Sequence, residues 1–257
     1  KVSHQVSWPG TDPMYNDFQA GPDARVTYYG VQGVPNTSLN GGATGAPNTI
    51  VTAATLASAA AVTTPYQITA TQSWADPNTV TVNIDVENVT GSAVSSADKI
   101  YVTMVENQVN YNTAPGSNGE TEFFNVMRQM YNASTGAADA TTGAALGSIA
   151  ANSTENFNFT ITSLPSYIAD KGQVTFAIYI QNDASKEVFQ AGKTSVVSIP
   201  GLINVEANTA SVAATGYCDY SYTPGVEFVN NDANTTVTEV VAEYSINGGA
   251  AVQETFT

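Results

Sequence analysis

The charged residues best placed for chemistry are Arg128, one of only two arginines, and the glutamates around it. Arg128 lies in the strand-like segment FFNVMRQM. Any hairpin pairing of this segment brings its guanidinium near Glu106, Glu120 and Glu122. A guanidinium and a carboxylate that are buried together form a directional ion pair, which can fix the register of two strands. We therefore predict a structural ion pair between Arg128 and Glu106, with contact to a ligand carboxylate or a sugar as the alternative.

Other polar residues lack the partners that catalysis or metal binding requires. His4 is the single histidine, so it is expected to be structural. Asp12, Asp17 and Asp23 could offer oxygen ligands to calcium, but the calcium-loop spacing D-x-[DN]-x-[DN]-G does not occur. We predict no catalytic residue, no metal site and no cofactor.

The overall charge restricts the possible partners. The 257 residues include 22 acidic and 7 basic ones, for a net charge of −15. Nucleic acids and anionic lipid surfaces need basic patches, so both are excluded as partners. Cys218 is the only cysteine, which rules out an intrachain disulfide and a C-x-x-C pair within these residues. No apolar run reaches the roughly 18 residues of a membrane span.

The pattern of apolar residues indicates a mainly β protein. Apolar residues alternate within residues 99–131 and again within 173–194, which predicts long antiparallel strands with one face on a core. Two further alternating segments, 66–73 and 80–89, flank the turn signal Asp76-Pro77-Asn78 and predict a hairpin. Residues 52–62 are rich in alanine and predict a helix. Short strands separated by turn signals favour an antiparallel β-sandwich.

Two segments near the N-terminus carry a family resemblance. SWPGTDPMYN, residues 7–16, and ARVTYYGVQGVPNTSLNGG, residues 24–42, resemble the second half of a thioredoxin-like domain found in surface and secreted proteins of Bacteroidota. The resemblance implies that residues 1–64 are the C-terminal half of an α/β thioredoxin-like domain. It also implies that Pro35 is cis and faces a redox cysteine pair, which would lie before Lys1.

Short motifs are spread between residues 65 and 199: VE at 105–106, Tyr111, NGE at 118–120, FNVMR at 124–128, IQN at 180–182 and KEVFQA at 186–191. Together they resemble the Omp28-related domain of Bacteroidota outer-membrane lipoproteins and secreted proteins. The resemblance implies a β-sandwich over residues 65–199 and a location at the outer surface, and it implies no particular chemistry.

The last segment, residues 200–257, has strand-like stretches and the hairpin signal Asn247-Gly248-Gly249. It resembles the opening strands of an immunoglobulin-like β domain. Both ends therefore look like parts of domains. We expect either a longer polypeptide, which we favour, or completion of the folds by strands from neighbouring subunits, as in a fibre.

Taken together, these patterns favour a non-enzymatic extracellular or outer-surface structural or adhesion protein of a bacterium, one that binds protein partners or self-associates. Abundant Asn and Thr on an acidic chain are typical of secreted β-rich bacterial proteins. Two alternatives stay open. One is a thiol-disulfide oxidoreductase-like protein whose cysteine pair precedes residue 1, and the other is a glycan- or peptide-binding module.

Overall fold

The computed structural model describes residues 1–94, 97–139, 141–168, 170–202, 205–211, 225–230, 236–245 and 249–257, with backbone alone at 206–211. The chain divides into two compact units, Lys1–Val197 and Ser198–Thr257. Three residues singled out in the sequence lie outside the described residues, namely Cys218 and the turn residues Asn247 and Gly248. The predicted boundaries near residues 64 and 199 stay predictions.

The first unit begins with short helices and a small hairpin: α1 (Pro13–Asp17), α2 (Ala20–Tyr29), β1 (Thr37–Ser38), β2 (Thr44–Gly45), α3 (Pro47–Ile50) and α4 (Ala53–Ala60). The side chain of Asp12 caps α1 by accepting a hydrogen bond from the Tyr15 amide. Thr52 and Thr55 form a reciprocal capping box that starts α4. This confirms the helix predicted over residues 52–62.

The sequence of residues 1–7, KVSHQVS, predicts a strand, but the structure has only a single parallel bridge there, between Ser3 and Val126. The Ser3 amide donates to the Asn125 carbonyl, and the Met127 amide donates to the Ser3 carbonyl, each at 2.8 Å. Of residues 1–7, only Ser3 pairs in this way. The thioredoxin-like assignment of residues 1–64 stays a prediction.

Two antiparallel sheets follow. The three-stranded sheet has the order β3 (Tyr66–Asp76), β4 (Thr79–Asn88), β8 (Thr154–Ile161). The five-stranded sheet has the order β10 (Val188–Lys193), β9 (Val174–Gln181), β5 (Lys99–Asn110), β6 (Glu122–Tyr131), and β7 (Ala144–Ala145) also pairs with β5. A 3₁₀ turn, Lys171–Gln173, precedes β9. This arrangement confirms the predicted antiparallel sandwich and the hairpin at Asp76-Pro77-Asn78.

The core between the sheets comes from alternate residues on the central strands. It contains the fully buried side chains Val80, Val82, Ile84, Val86, Ile100, Val102, Met104, Phe176, Ile178 and Ile180. Each such side chain contributes about 1.5–3 kcal/mol on leaving water. Period-two alternation on three strands, β4, β5 and β9, therefore supplies the main stabilisation of the sandwich.

The second face of the five-stranded sheet is also buried, which differs from the half-buried strands predicted for residues 99–131 and 173–194. Met14 of α1 packs against Val109 and Val126. Phe18 and Val2 pack against a second cluster that contains Tyr101, Met127 and Met130. The N-terminal segment thus forms a third layer, because it covers the sheet face that would otherwise meet water.

The second unit contains two antiparallel hairpins. One pairs β11 (Val205–Ser211) with β12 (Gly225–Asn230), and the other pairs β13 (Val240–Tyr244) with β14 (Val252–Phe256). The immunoglobulin-like assignment of this unit stays a prediction. Among the described residues of both units, no helix has the length and apolar character needed to cross a membrane.

The loop between β1 and β2 docks on the β9–β10 hairpin at Gly41, which has φ of +74°. A β-carbon at this position would collide with the carbonyl of Lys186, whereas one at Gly10 would meet open space.

We expect Gly41→Ala to lower the free energy of unfolding by about 2 kcal/mol or more, from backbone strain and the collision. Urea denaturation measures this. The control Gly10→Ala should stay within about 0.5 kcal/mol of wild type, and equal effects would contradict the docking.

Candidate functional site

The structure brings Arg128 and Glu106 together at a β-bulge. Met104 pairs with Gln129 and Val105 pairs with Met127, so Arg128 is the extra residue between them. A bulge bends the strand and redirects its side chain. Arg128 Nε lies 3.2 Å from Glu106 Oε2, and both side chains are buried.

Two further elements converge on this pair. Arg128 Nη2 lies 2.8 Å from Asp17 Oδ2 of α1 and donates to the Tyr167 carbonyl at 2.6 Å. The Tyr167 hydroxyl donates back to the Arg128 carbonyl, and its ring lies beneath the guanidinium, 5.0 Å from it. Glu106 Oε1 accepts the Asp170 amide at 2.6 Å. The Arg128 cluster therefore connects β5, β6, α1 and the 165–170 segment.

In the Arg128 cluster, the charges of Arg128 and Glu106 are buried, although Arg128 Nη1 has no hydrogen-bond partner among the described residues. Arg128 is 2% exposed and Glu106 is 0% exposed, so a ligand would have to displace existing partners to reach either charge. Burial raises the pKa of Tyr167 to about 12, so its hydroxyl stays protonated and keeps donating at neutral pH. The arrangement suits cross-linking of layers, whereas the sequence predicted a pair that fixes the register of two strands. Asp17 and Tyr167 were not predicted as members.

A second cluster lies under α2, around Arg25. The guanidinium carbon of Arg25 lies 4.4 Å from the ring centroid of Tyr101, which stacks on Tyr179 with centroids 5.3 Å apart. The ring of Tyr28 lies 5.2 Å from the same carbon. Arg25 is 4% exposed, and desolvated cation–π contacts of this kind are worth about 2 kcal/mol. The cluster fixes α2 to the five-stranded sheet.

Asp183 links the edge of the Arg25 cluster to the sheet. It accepts the Tyr101 hydroxyl at 2.6 Å and the Tyr28 hydroxyl at 3.2 Å, and it forms an ion pair with Lys99 at 2.7 Å. Although burial opposes the change, hydrogen bonds from Lys99 and Tyr101 lower the pKa of Asp183. The carboxylate is thus held ionised by groups of its own unit. Tyr28, which lies in the 24–42 segment that carries the thioredoxin-like resemblance, contacts Arg25 and Asp183 within the first unit.

The remaining predicted positions lie apart from both clusters or on their margins. Pro35 is exposed and follows a cis peptide bond. Asp12 caps α1, and Asp23 accepts the Tyr15 hydroxyl at 3.0 Å. Within the part of the chain that the structure describes, no group of three or more His, Cys, Asp or Glu side chains could hold a metal ion.

His4 lies beside the Arg25 cluster. Its Nδ1 is buried and has no hydrogen-bond partner among the described residues. Burial, together with the positive charge of Arg25, lowers the pKa of His4 to about 4. The ring is therefore neutral at physiological pH, which suits the structural role predicted for it.

Comparison with known proteins yields similarity of fold. No family model matches the sequence, and no curated protein matches it. Among solved structures, the chain is similar to HBP35 of Porphyromonas gingivalis, with a TM-score of 0.50, 13% identity, and coverage of 94% of this chain and 82% of that one. A domain of the outer membrane lipoprotein Omp28 from Porphyromonas gingivalis matches with a TM-score of 0.33, 9% identity, and coverage of 52% of this chain and 90% of that domain.

Removing the guanidinium of Arg128 tests the Arg128 cluster. We expect Arg128→Met to lower the free energy of unfolding by about 3–5 kcal/mol, because Glu106 is left buried without its counter-charge. The double variant Arg128→Met/Glu106→Gln should recover much of that loss. Urea denaturation at pH 7 measures both. Lys1→Met, at an exposed lysine outside the cluster, is the control and should cost less than about 0.5 kcal/mol. Additive losses in the double variant would show that the two charges are independent.

The lowered pKa of His4 predicts a pH-dependent stability. Between pH 6.5 and pH 4 the unfolded chain binds a proton at His4 that the folded chain excludes, so stability falls as the pH falls. We expect the free energy of unfolding of wild type, relative to His4→Asn, to drop by about 2 kcal/mol from pH 7 to pH 4, allowing for partial exposure. Urea denaturation across this range measures the difference. Parallel pH curves would place His4 in a solvent-like environment.

Proposed function

We propose that this protein is a non-enzymatic structural or adhesion module of the outer surface or exterior of a bacterium, and that it works through contacts with other proteins. The single observation that carries the proposal is the use of its basic side chains. Six of the seven contact partners inside the first unit, and these are Arg25, Lys99, Arg128, Lys171, Lys186 and Lys193. These six basic side chains therefore stabilise the fold of the first unit.

This use of cations determines the character of the surface. Most of the positive charge is engaged internally, while the chain carries 22 acidic residues in all. The surface is therefore acidic and rich in hydroxyl and amide groups. Such a surface stays soluble outside the cell and repels anionic lipid and nucleic acid. It is suited to partners that present backbone, amide or basic groups.

Two further points support an outer-surface origin. The motifs within residues 65–199 resemble those of the Omp28-related domain, and the fold is similar to that of HBP35 from Porphyromonas gingivalis. A rigid sandwich braced by buried ion pairs suits a module that must hold its shape outside the cell. In this reading the Arg128 and Arg25 clusters serve stability, and the chain catalyses no reaction.

Antibody labelling of intact cells tests the location. We expect antibodies raised against the first unit to label intact cells of the source bacterium as strongly as lysed ones, because the proposed surface faces the medium. External protease should remove the label, and an antibody to a periplasmic protein is the control that must label lysed cells only. Labelling that appears only after lysis would contradict the proposal.

An insulin reduction assay tests the proposal that the protein is not a thiol-disulfide oxidoreductase. We expect the native protein, isolated from its cells, to leave the rate of insulin reduction by dithiothreitol unchanged. Thioredoxin at equal concentration is the positive control. A rate increase that is abolished by alkylating cysteines would support the oxidoreductase alternative instead.

A further inference from the structure

The outer face of the three-stranded sheet is an array of short polar side chains. Its rows run across β4 and β8 and are joined by side-chain hydrogen bonds: Asn156 Nδ2 to Asp85 Oδ1 at 2.7 Å, Asn158 Nδ2 to Asn83 Oδ1, and Thr81 Oγ1 with Thr160 Oγ1 at 2.8 Å. Cross-strand pairs of this kind stabilise a sheet and define the register of its strands. The rows end at β8, which is the last strand on that side.

The outer edge of β8 has no backbone hydrogen-bond partner among the described residues, although Gly136 packs against Phe159 of this strand. β8 pairs with β4 along its whole length without a bulge, and it makes no backbone hydrogen bond to any described residue beyond β4. The edges at β6 and β3 of the first unit have such contacts. Ser3 pairs with β6 at Val126, and Gln190 of β10 donates to the Tyr66 carbonyl of β3 where the two sheets meet. An open, regular edge is a template for another strand.

The composition of β8 does nothing to block such pairing. Edge strands that avoid association carry Pro, Lys or a bulge, and Thr154–Ile161 has none of these. Its one charged residue, Glu155, lies near the strand's start. Its side chains alternate between exposed polar residues and buried apolar ones over the last five positions. A strand added at this edge would therefore meet the same alternation that β4 meets.

We propose that β8 pairs antiparallel with β8 of a second copy of this chain, about a two-fold axis at Asn158. This inference rests on the proposed function in protein contacts and names the partner. Residues that face each other across antiparallel strands point to the same side of the sheet, so the register must match exposed residues with exposed ones. In the register centred on Asn158, Asn156 lies opposite Thr160 and Phe157 lies opposite Phe159.

The same register also satisfies the charges and the hydrogen-bonding groups. Exposed Glu155 lies opposite buried Ile161, so the match of exposed with exposed residues holds from Asn156 to Thr160, and no like charges face each other. Asn158 donates from Nδ2 to Asn83, which leaves its Oδ1 to accept from Asn158 of the second copy. The row Asn83–Asn158 therefore continues into its symmetry copy as a ladder of four amides within a six-stranded sheet. A closed two-fold dimer results.

Cysteine cross-linking tests the register. In a Cys218→Ser background, we expect Asn158→Cys to form an intermolecular disulfide under mild oxidation, because facing residues have Cα atoms about 4.5–5.5 Å apart. The control Asn83→Cys lies on the same face one strand further in. Its copies would be three strand spacings apart, about 14 Å, and should not cross-link. Non-reducing electrophoresis measures both. Equal cross-linking of the two variants, or cross-linking of Asn83→Cys alone, would overturn the register.

Sedimentation velocity tests the interface itself. Placing a carboxylate at the axis should oppose its own copy, so we expect Asn158→Asp to raise the dimer dissociation constant at least about 10-fold at low salt, since like charges directly opposite are destabilising. Asn83→Asp adds the same charge one strand away, keeps the acceptor for Asn158 Nδ2, and should raise it less than about 3-fold. The wild-type dimer should tighten with added salt, because each copy carries a net charge of −15.

The outcomes separate this inference from the proposed function. A wild-type chain that stays monomeric at millimolar concentration overturns the β8 dimer, while cell labelling decides the surface location independently. A dimer that responds equally to both aspartate variants also overturns β8 pairing and leaves self-association by another surface. Loss of dimer in Asn158→Asp, together with selective cross-linking at residue 158, supports the inference.

Discussion

The guanidinium of Arg128 lies where the layers of the first unit meet, and the arrangement around it depends on its charge. A β-bulge redirects this side chain, and Glu106 and Asp17 neutralise it from β5 and α1. An isolated buried charge costs several kcal/mol, so the N-terminal layer and the sheet are coupled through the pair. If α1 moved away, Arg128 would lose Asp17, and if the bulge were lost, Glu106 would lose Arg128.

Burial of the five-stranded sheet on both faces explains why a chain so poor in cations uses them internally. Apolar packing alone holds two layers together without fixing their relative orientation. Arg25 sets α2 over Tyr101 and Tyr179, while Lys99 and Asp183 hold the margin of the same face. The polar contacts between layers are therefore directional, and they define how the N-terminal segment lies on the sheet.

Much of the sandwich could be predicted because period-two alternation is a local signal. Burial of the second sheet face was not predicted, although the nearly continuous apolar run from Ile100 to Val105 is typical of a strand covered on both sides. The partners Asp17 and Tyr167 lie 111 and 39 positions from Arg128. No local pattern links positions so distant in the chain, so only the packing of the layers brings them together.

The distribution of charge connects the interior to the surface. Lys99 and Arg128 neutralise Asp183, Asp17 and Glu106 within the first unit, and most of the other described carboxylates face the medium. Long-range repulsion between copies then opposes contact everywhere except where short-range, neutral and directional groups can outweigh it. The Asn and Thr rows that end at β8 provide such groups, since amides and hydroxyls pair without a net charge. A chain with this composition can thus stay soluble and still bind a specific partner at the β8 edge.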